Sequence, residues 1–422
     1  MERAILVNVA TAKAEKEEAE ESLAELAGLA AAAGAEVAGK VFQVRPRLNP
    51  RWLVGEGKVK EIGREARESK ADMVIFDRNL NASQQQNLEE EIKVKVLDRT
   101  QLILDIFAQR ARTNEGKLQV ELAQLVYQLP RLRGKGLSLT QQGAGIGTRG
   151  PGEKKLEVDR RRIMDRITRL KRAIDGLEKR RSSQRESRRK SPVPAVSLVG
   201  YTSAGKSTLF NLLAEERRYT SPNLFSTLDP LLRRVSWPDG AYFFLTDTVG
   251  FIRKLPVELV TSFRATLEEV GEADAILHVV DVSSPSCDQQ LAAVETVLAD
   301  LGIAAIPIVK ILNKIDLLAE DERTLLLSRN ADPRSLTVAL SAKTGEGVPD
   351  LMRRLRDVLF AGQRIYTVRI PRETREIADS LARRSLILKR RENDGFVELK
   401  VLADPAGMAN FLSYVEQGDV PW

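Results

Sequence analysis

AVSLVGYTSAGKSTLFNLL, residues 195–213, places an apolar run, a turn of small residues and a helical run end to end. AVSLVG reads as a strand and KSTLFNLL as a helix. The turn between them, GYTSAGKS, is Gly200 to Ser207 and matches G-x-x-x-x-G-K-S in the strand–turn–helix setting which that pattern requires. Gly200 and Gly205 allow the backbone to curl so that successive amides point inward at phosphate oxygens. Lys206 brings a positive charge to β- and γ-phosphates, and the helix N-terminus adds its partial positive charge. Ser207 offers a hydroxyl to Mg²⁺. Tyr201, Thr202, Ser203, Ala204 and Thr208 complete the expected phosphate-binding turn. A glycine turn with a chance lysine is the bland alternative, and the segments downstream decide against it.

Each of those segments stands at the end of an expected strand. FFLTDTVG sets Asp247 to hold Mg²⁺ through water, and Thr248 and Val249 lead to Gly250, whose amide senses a γ-phosphate. FSTLD offers Thr227 as a second hydroxyl ligand, flanked by Phe225, Ser226, Leu228 and Asp229, in a loop that orders around a triphosphate. Thr220 and Ser226 are rivals for that role. NKID, Asn313 to Asp316 with Lys314 and Ile315 between, follows the run AIPIVKILN. Asp316 can accept hydrogen bonds from guanine N1–H and its 2-amino group. Adenine has neither donor and would leave a buried carboxylate unpaired, a discrimination on the order of 10⁴. SAK, Ser341, Ala342 and Lys343, completes the base pocket, with the Ala342 amide on guanine O6. The expected ligands are GTP and GDP with Mg²⁺. No glutamine follows Gly250 to orient an attacking water; Phe251 and Ile252 stand there instead. Intrinsic turnover of roughly 10⁻⁴ to 10⁻² s⁻¹ is expected, with a partner to accelerate it, although Phe251 can equally be a plain core residue.

Working outward, the fold class expected is α/β, a P-loop domain flanked by smaller ones. Residues 1–112 alternate strand and helix and suggest a small, mostly parallel sheet. In 113–190, Leu118, Leu122, Leu125, Val126 and Leu129 recur at helical spacing, and Leu156, Ile163, Ile167, Leu170, Ile174 and Leu177 form a heptad seam. Two antiparallel helices packed as a hairpin are expected, with the glycine-rich stretch of 133–153 as an irregular tip. RRSSQRESRRKSPVP reads as a basic linker. Residues 191–362 form the P-loop domain, with strands at AVSLVG, AYFFLTD, AILHVVDV, AIPIVKILN and LTVALS. Residues 363–422 read as a small α+β domain ending in a helix, without chemistry of its own.

At 422 residues the chain is expected to hold two to four domains. The start, MERAILVNVA, lacks the layout of a signal peptide, and no apolar run reaches the roughly 18 residues of a membrane span. Cys287 and His278 are the only residues of their kinds, which excludes an intrachain disulfide and the usual zinc ligand set. A cytoplasmic setting, no membrane attachment and a monomer are expected. The formal charge is +7, yet residues 149–190 alone hold 17 Lys and Arg against 7 Asp and Glu. That local excess points to a surface for phosphate.

GYTSAGKSTLFN, FSTLDP, DTVGFIRKLP and NKID together resemble the HflX family of translation-associated GTPases, near relatives of the Obg group. DRTQLILDIFAQRARTNEGKLQVELAQLVYQLPRL and GTRGPGEKKLEVDRRRI look like that family's N-terminal signature. The resemblance covers nearly the whole chain and is weakest in the last sixty residues. It implies a GTPase that binds the large ribosomal subunit with GTP and splits stalled or idle ribosomes, its hairpin tip touching ribosomal RNA. Arg149, Lys154 and Lys155 are the expected phosphate contacts. Two departures stand out. Family members usually carry asparagine at the place of Ser203, and in related GTPases that asparagine helps hold a monovalent cation that stimulates hydrolysis; serine there argues against potassium activation. GPGETQLE, usual in the family, is GPGEKKLE here. A GTPase of large-subunit assembly and an RNA-binding scaffold that senses nucleotide remain as alternatives.

Overall fold

Four apolar runs near the start of the chain, each followed by a helix, make a parallel sheet in the order β2-β1-β3-β4. They are β1 Glu2–Ala10, β2 Ala35–Val44, β3 Met73–Phe76 and β4 Lys95–Asp98; the helices are α1 Lys16–Ala32, α2 Glu56–Glu68, α3 Ala82–Ile92 and α4 Arg99–Arg110. β1 is buried throughout from Ala4 to Ala10, which is why its sequence is a continuous apolar run rather than an alternating one. This computed structural model describes residues 1–12, 16–132, 151–189, 191–215, 231–248, 250–252, 270–300, 302–303, 305–329, 332, 335–393 and 395–420. Those residues fall into two compact units, 1–177 and 178–420.

Helix α3 carries too few apolar residues to show a period and goes unread in the sequence. It is started instead by its cap: the Asn81 side chain accepts from the Gln84 amide, and the Gln84 side chain accepts from the Asn81 amide.

Helices α5, Asn114–Gln128, and α6, Pro151–Arg189, carry the seam. Leu118, Leu122 and Leu125 of α5 pack with Ile167, Leu170 and Ile174 of α6. Beside them Arg166 grips the Glu121 carboxylate with two bonds of 2.7 and 2.8 Å. Two readings are corrected here. The stretch read as irregular up to Glu153 is helical from Pro151, because proline at the first helical position forfeits no hydrogen bond. The stretch read as a basic linker continues the helix to Arg189, since Arg, Lys, Glu and Gln are good helix formers even where no apolar period survives. The remaining tip, 133–150, lies outside the described residues.

The second unit is built on a six-stranded sheet ordered β10-β9-β8-β5-β7-β6. Its strands are β5 Ala195–Gly200, β6 Leu231–Ser236, β7 Tyr242–Asp247, β8 Ala275–Asp281, β9 Ile308–Asn313 and β10 Thr337–Ala339. Only β6 is antiparallel, an edge strand that the sequence reading passed over. Helices α7 Lys206–Leu213, α8 Cys287–Asp300, α9 Glu320–Arg329 and α10 Val348–Leu359 connect the strands.

The last sixty residues form an antiparallel sheet ordered β12-β13-β11-β14, from β11 Arg364–Pro371, β12 Leu386–Glu392, β13 Phe396–Ala403 and β14 Val415–Val420, with α11 Arg375–Ala382 and α12 Pro405–Met408 between. The expected helix follows β13, and among the described residues a further strand, β14, comes after it. Leu386 and Leu402 of this sheet join Trp237, Phe243 and Phe360 in the core of the six-stranded one. No described helix is long and apolar enough to cross a membrane.

Candidate guanine-nucleotide site

The parallel strands β5, β7, β8 and β9 bring their carboxyl ends together, the edge where open α/β sheets bind ligands. The turn after β5 is shaped by close approach. At Gly200 (φ +151°) a Cβ would lie 2.2 Å from the Val279 carbonyl oxygen, and at Gly205 (φ +99°) 2.2 Å from the Asn313 amide nitrogen. Neither position admits another residue. Ser203, at φ +62°, holds a left-handed conformation without glycine's freedom.

Lys206 is buried under this turn and donates to the Gly200 and Tyr201 carbonyls at 3.0 and 2.7 Å. Burial lowers its pKa to about 8, against the opposing pull of Asp247. Ser207, on the first turn of α7, donates its hydroxyl to Asp247 Oδ2 at 3.0 Å. A hydroxyl and a carboxylate at that separation form an all-oxygen set of the kind Mg²⁺ accepts, so these two residues fit the ion. Among the described residues no cluster of three His, Cys, Asp or Glu offers a different metal site. Thr248 is buried and donates its hydroxyl to the Leu198 carbonyl.

Gly250 lies against the turn. A Cβ there would meet Thr202 Cγ2 at 2.9 Å and Lys206 Nζ at 3.0 Å. The next residue is zipped to the turn by backbone bonds, Phe251 N to Gly200 O at 3.1 Å and Thr202 N to Phe251 O at 2.7 Å. The Phe251 ring is buried in an apolar cluster with Val199, Val270, Ile276 and Leu298. Of the two readings left open in the sequence, the structure shows the core one, and no water-orienting side chain stands at this place.

On the base side, Asn313 ties two segments together. Its amide donates to the Ala204 carbonyl at 2.7 Å, and its oxygen accepts from the Ala342 amide at 2.9 Å. Ser341 is fully buried and donates to Asp316 Oδ1 at 2.6 Å, which orients a half-buried carboxylate. Ile315 is core, and Lys343 is exposed. Lys314, at φ +68°, reaches Asp281 Oδ2 at 2.5 Å. Asp281 is itself fixed by the Ser283 amide and hydroxyl at 3.0 and 2.6 Å. Sequence reasoning missed Asp281, although its place at the carboxyl end of the AILHVVD strand is the signal that could have found it.

The structure thus gathers residues 200–208, Asp247, Thr248, Gly250, 313–316 and 341–343 at one sheet edge. Phe225, Ser226, Thr227, Leu228, Asp229 and Val249 lie outside the described residues, as does Arg149. Lys154 and Lys155 fall on α6, remote in sequence from this edge.

Three family models match. Residues 20–108 fit one described as GTP-binding GTPase N-terminal, 110–188 one described as GTP-binding GTPase Middle Region, and 195–314 one described as 50S ribosome-binding GTPase. A GTP-binding protein of Sulfolobus solfataricus, solved with GDP, is 24% identical and aligns with 85% of this chain and 99% of its own, at a TM-score of 0.46. The GTPase HflX of Caldanaerobacter subterraneus subsp. tengcongensis is 46% identical over 89% of this chain and 85% of its own. That of Magnetococcus marinus is 42% identical over 99% of this chain and 96% of its own, so the likeness takes in the C-terminal sheet. Likeness of that depth, over a chain whose strand ends carry the phosphate turn and NKID where they should stand, places this protein in the HflX family of GTPases.

Proposed function

We propose that this GTPase binds the large ribosomal subunit in its GTP form and separates stalled or idle ribosomes into subunits. The observation that carries the reading is the buried Phe251 beside the described part of the nucleotide frame, the phosphate turn, Asp247, NKID and SAK. A site that holds GTP but has an apolar side chain in place of a water-orienting one after Gly250 turns over slowly until a partner completes it. The description of the family model over residues 195–314, 50S ribosome-binding GTPase, supports the large subunit as that partner. The local charge of residues 149–190 supports an RNA contact there, with Arg149, Lys154 and Lys155 as its phosphate ligands.

In this reading the turn from Gly200 to Thr208 wraps the phosphates, and Lys206 leaves the Gly200 and Tyr201 carbonyls for phosphate oxygen. Ser207, Thr227 and, through water, Asp247 would hold Mg²⁺, which when bound offsets the negative charge of the β- and γ-phosphates. The Gly250 amide senses the γ-phosphate, in a space that only glycine leaves open. Asp316, oriented by Ser341, accepts from guanine, and the Ala342 amide meets O6. The loops at Thr227 and Gly250 order with GTP, and the α5–α6 hairpin moves with them. The protein works as a cytoplasmic monomer.

Sedimentation tests this directly. Ribosomes mixed with the protein and a non-hydrolysable GTP analogue should run as subunits, with the protein on the large one. Intact ribosomes with the protein at the top of the gradient would reject the reading. Accumulated large-subunit precursors in cells lacking the protein would favour a role in assembly instead.

A further inference from the structure

The C-terminal sheet has the connectivity β-α-β-β-α-β, with β11 and β13 central and β12 and β14 at the edges. This is the ferredoxin-like frame, on which RNA-recognition sheets display stacking aromatics on their central strands. Frame alone assigns nothing. The two faces of the sheet, however, are built very differently.

One face is covered. Val368, Ile370, Val397 and Leu399 pack with Ala378 and Leu381 of α11, closed at the other end by Met408 and Phe411. The opposite face follows from register, because paired residues share a side. Its first row, Ile365, Leu402 and Leu386, packs at the core of the six-stranded sheet. Beyond that row the face is open and turns basic. Lys389 pairs with Lys400, and Arg391 and Arg369 both stand opposite Glu398. The four cations are all exposed. At the far end of β13 the half-buried Phe396 presents its ring to the Arg369 guanidinium, 3.2 Å from the ring centroid. Glu398, and Glu416 bound to Arg369 at 2.8 Å, are the anions there.

We propose that this open face binds a single-stranded RNA segment, with Phe396 as the platform for one base and Lys389, Lys400 and Arg391 along the phosphates. A sheet face bearing an aromatic flanked by cations suits unpaired nucleotides, since every base has a stackable face and the backbone follows the charge. Duplex RNA buries its bases and offers nothing to Phe396. The Arg369–Phe396 stack holds the ring ready, and an incoming base replaces or extends it. An acidic protein partner would need the cations alone and would be indifferent to the ring. This surface is distinct from the α6 region, and the inference does not rest on the ribosome reading.

The test uses the full-length chain and fluorescein-labelled dodecauridine, followed by anisotropy at several salt concentrations. Phe396→Ala should weaken binding on the order of tenfold, with Phe396→Tyr restoring it. Lys389→Glu with Lys400→Glu should weaken binding and flatten its salt dependence. Ultraviolet crosslinking of a 4-thiouridine oligomer to the unaltered protein should mark the peptide around Phe396. Unchanged basal GTP hydrolysis in each variant shows that the fold is intact. Equal affinity in all variants, with crosslinks elsewhere, would overturn the proposal. Loss on charge reversal with no effect of Phe396→Ala would also overturn it, and would leave an electrostatic face for an acidic partner.

Discussion

The parallel strands of two sheets in this chain treat their carboxyl ends differently. In the six-stranded sheet the ends are opened by absence of bulk: Gly200, Gly205 and Gly250 stand where any Cβ would collide. Lys206, Ser207, Asn313 and Asp316 line that opening, each held by a neighbour. In the four-stranded sheet a cleft of about 510 Å³ lies at the corresponding ends, but its two buried charged groups, Asp77 and Arg99, are turned on one another. Asp77 accepts from Arg99 Nη1 at 2.7 Å, Ser22 at 2.6 Å and Asn8 at 2.9 Å, and Arg99 Nη2 also meets Glu25 at 3.1 Å. Arg99 and Asp77 are each 1% exposed. The carboxyl ends of parallel strands thus carry a glycine-opened nucleotide site in one sheet and an internally neutralised cluster in the other.

The contrast is most exposed at Asp316. Asp316→Asn should cut the preference for GTP over ATP by on the order of 10³-fold or more in a competition assay, with melting almost unmoved. Undiminished preference would put the base pocket elsewhere. The reverse pattern is expected at Arg99. Arg99→Met strands the buried Asp77 carboxylate and should destabilise the first unit by about 3–5 kcal/mol in urea unfolding, while GTP affinity is retained. A stable variant would show that the cluster is not structural.

A smaller effect follows from Lys206, whose pKa is lowered to about 8 chiefly by burial. Phosphate contact favours its charged form, so GTP binding takes up a proton once the free protein has lost one. Affinity should therefore be flat below about pH 8 and fall above it, with proton uptake visible by calorimetry in two buffers. A flat profile to pH 9.5 would mean that Lys206 stays charged beneath the turn. The smallest effect is expected at Ser203, since asparagine tolerates a left-handed backbone better than serine. Ser203→Asn should stabilise the protein by about 0.5 kcal/mol, read as a small rise in melting temperature. A fall would show that Ser203 makes contacts which outweigh its strain.

How much could be read in advance follows the range of each interaction. The phosphate turn, DTVG, NKID and SAK are local patterns, and the described members of all four come to one edge. Ile167, Leu170 and Ile174 were legible as a seam because period survives in sequence. Helix α3 was not, as its start depends on Asn81 and Gln84 rather than on apolar spacing. Asp281 was missed because its partner Lys314 lies on another strand end. Phe251 could be read either way: a phenylalanine after a glycine carries no sign of whether its ring turns to solvent or to Val199. The helix after β13 is legible, but the strand β14 beyond it is not, its pairing with β11 being non-local.

On the function proposed above, the nucleotide site binds GTP unaided and waits on the large subunit for hydrolysis. Steady-state GTP hydrolysis with and without purified large ribosomal subunits, in potassium and in sodium buffer, tests it most directly. Slow intrinsic turnover of roughly 10⁻⁴ to 10⁻² s⁻¹, raised about tenfold or more by the subunits, is the predicted result. Tight GTP binding with no stimulation would contradict the claim and favour a scaffold that senses nucleotide without turning it over.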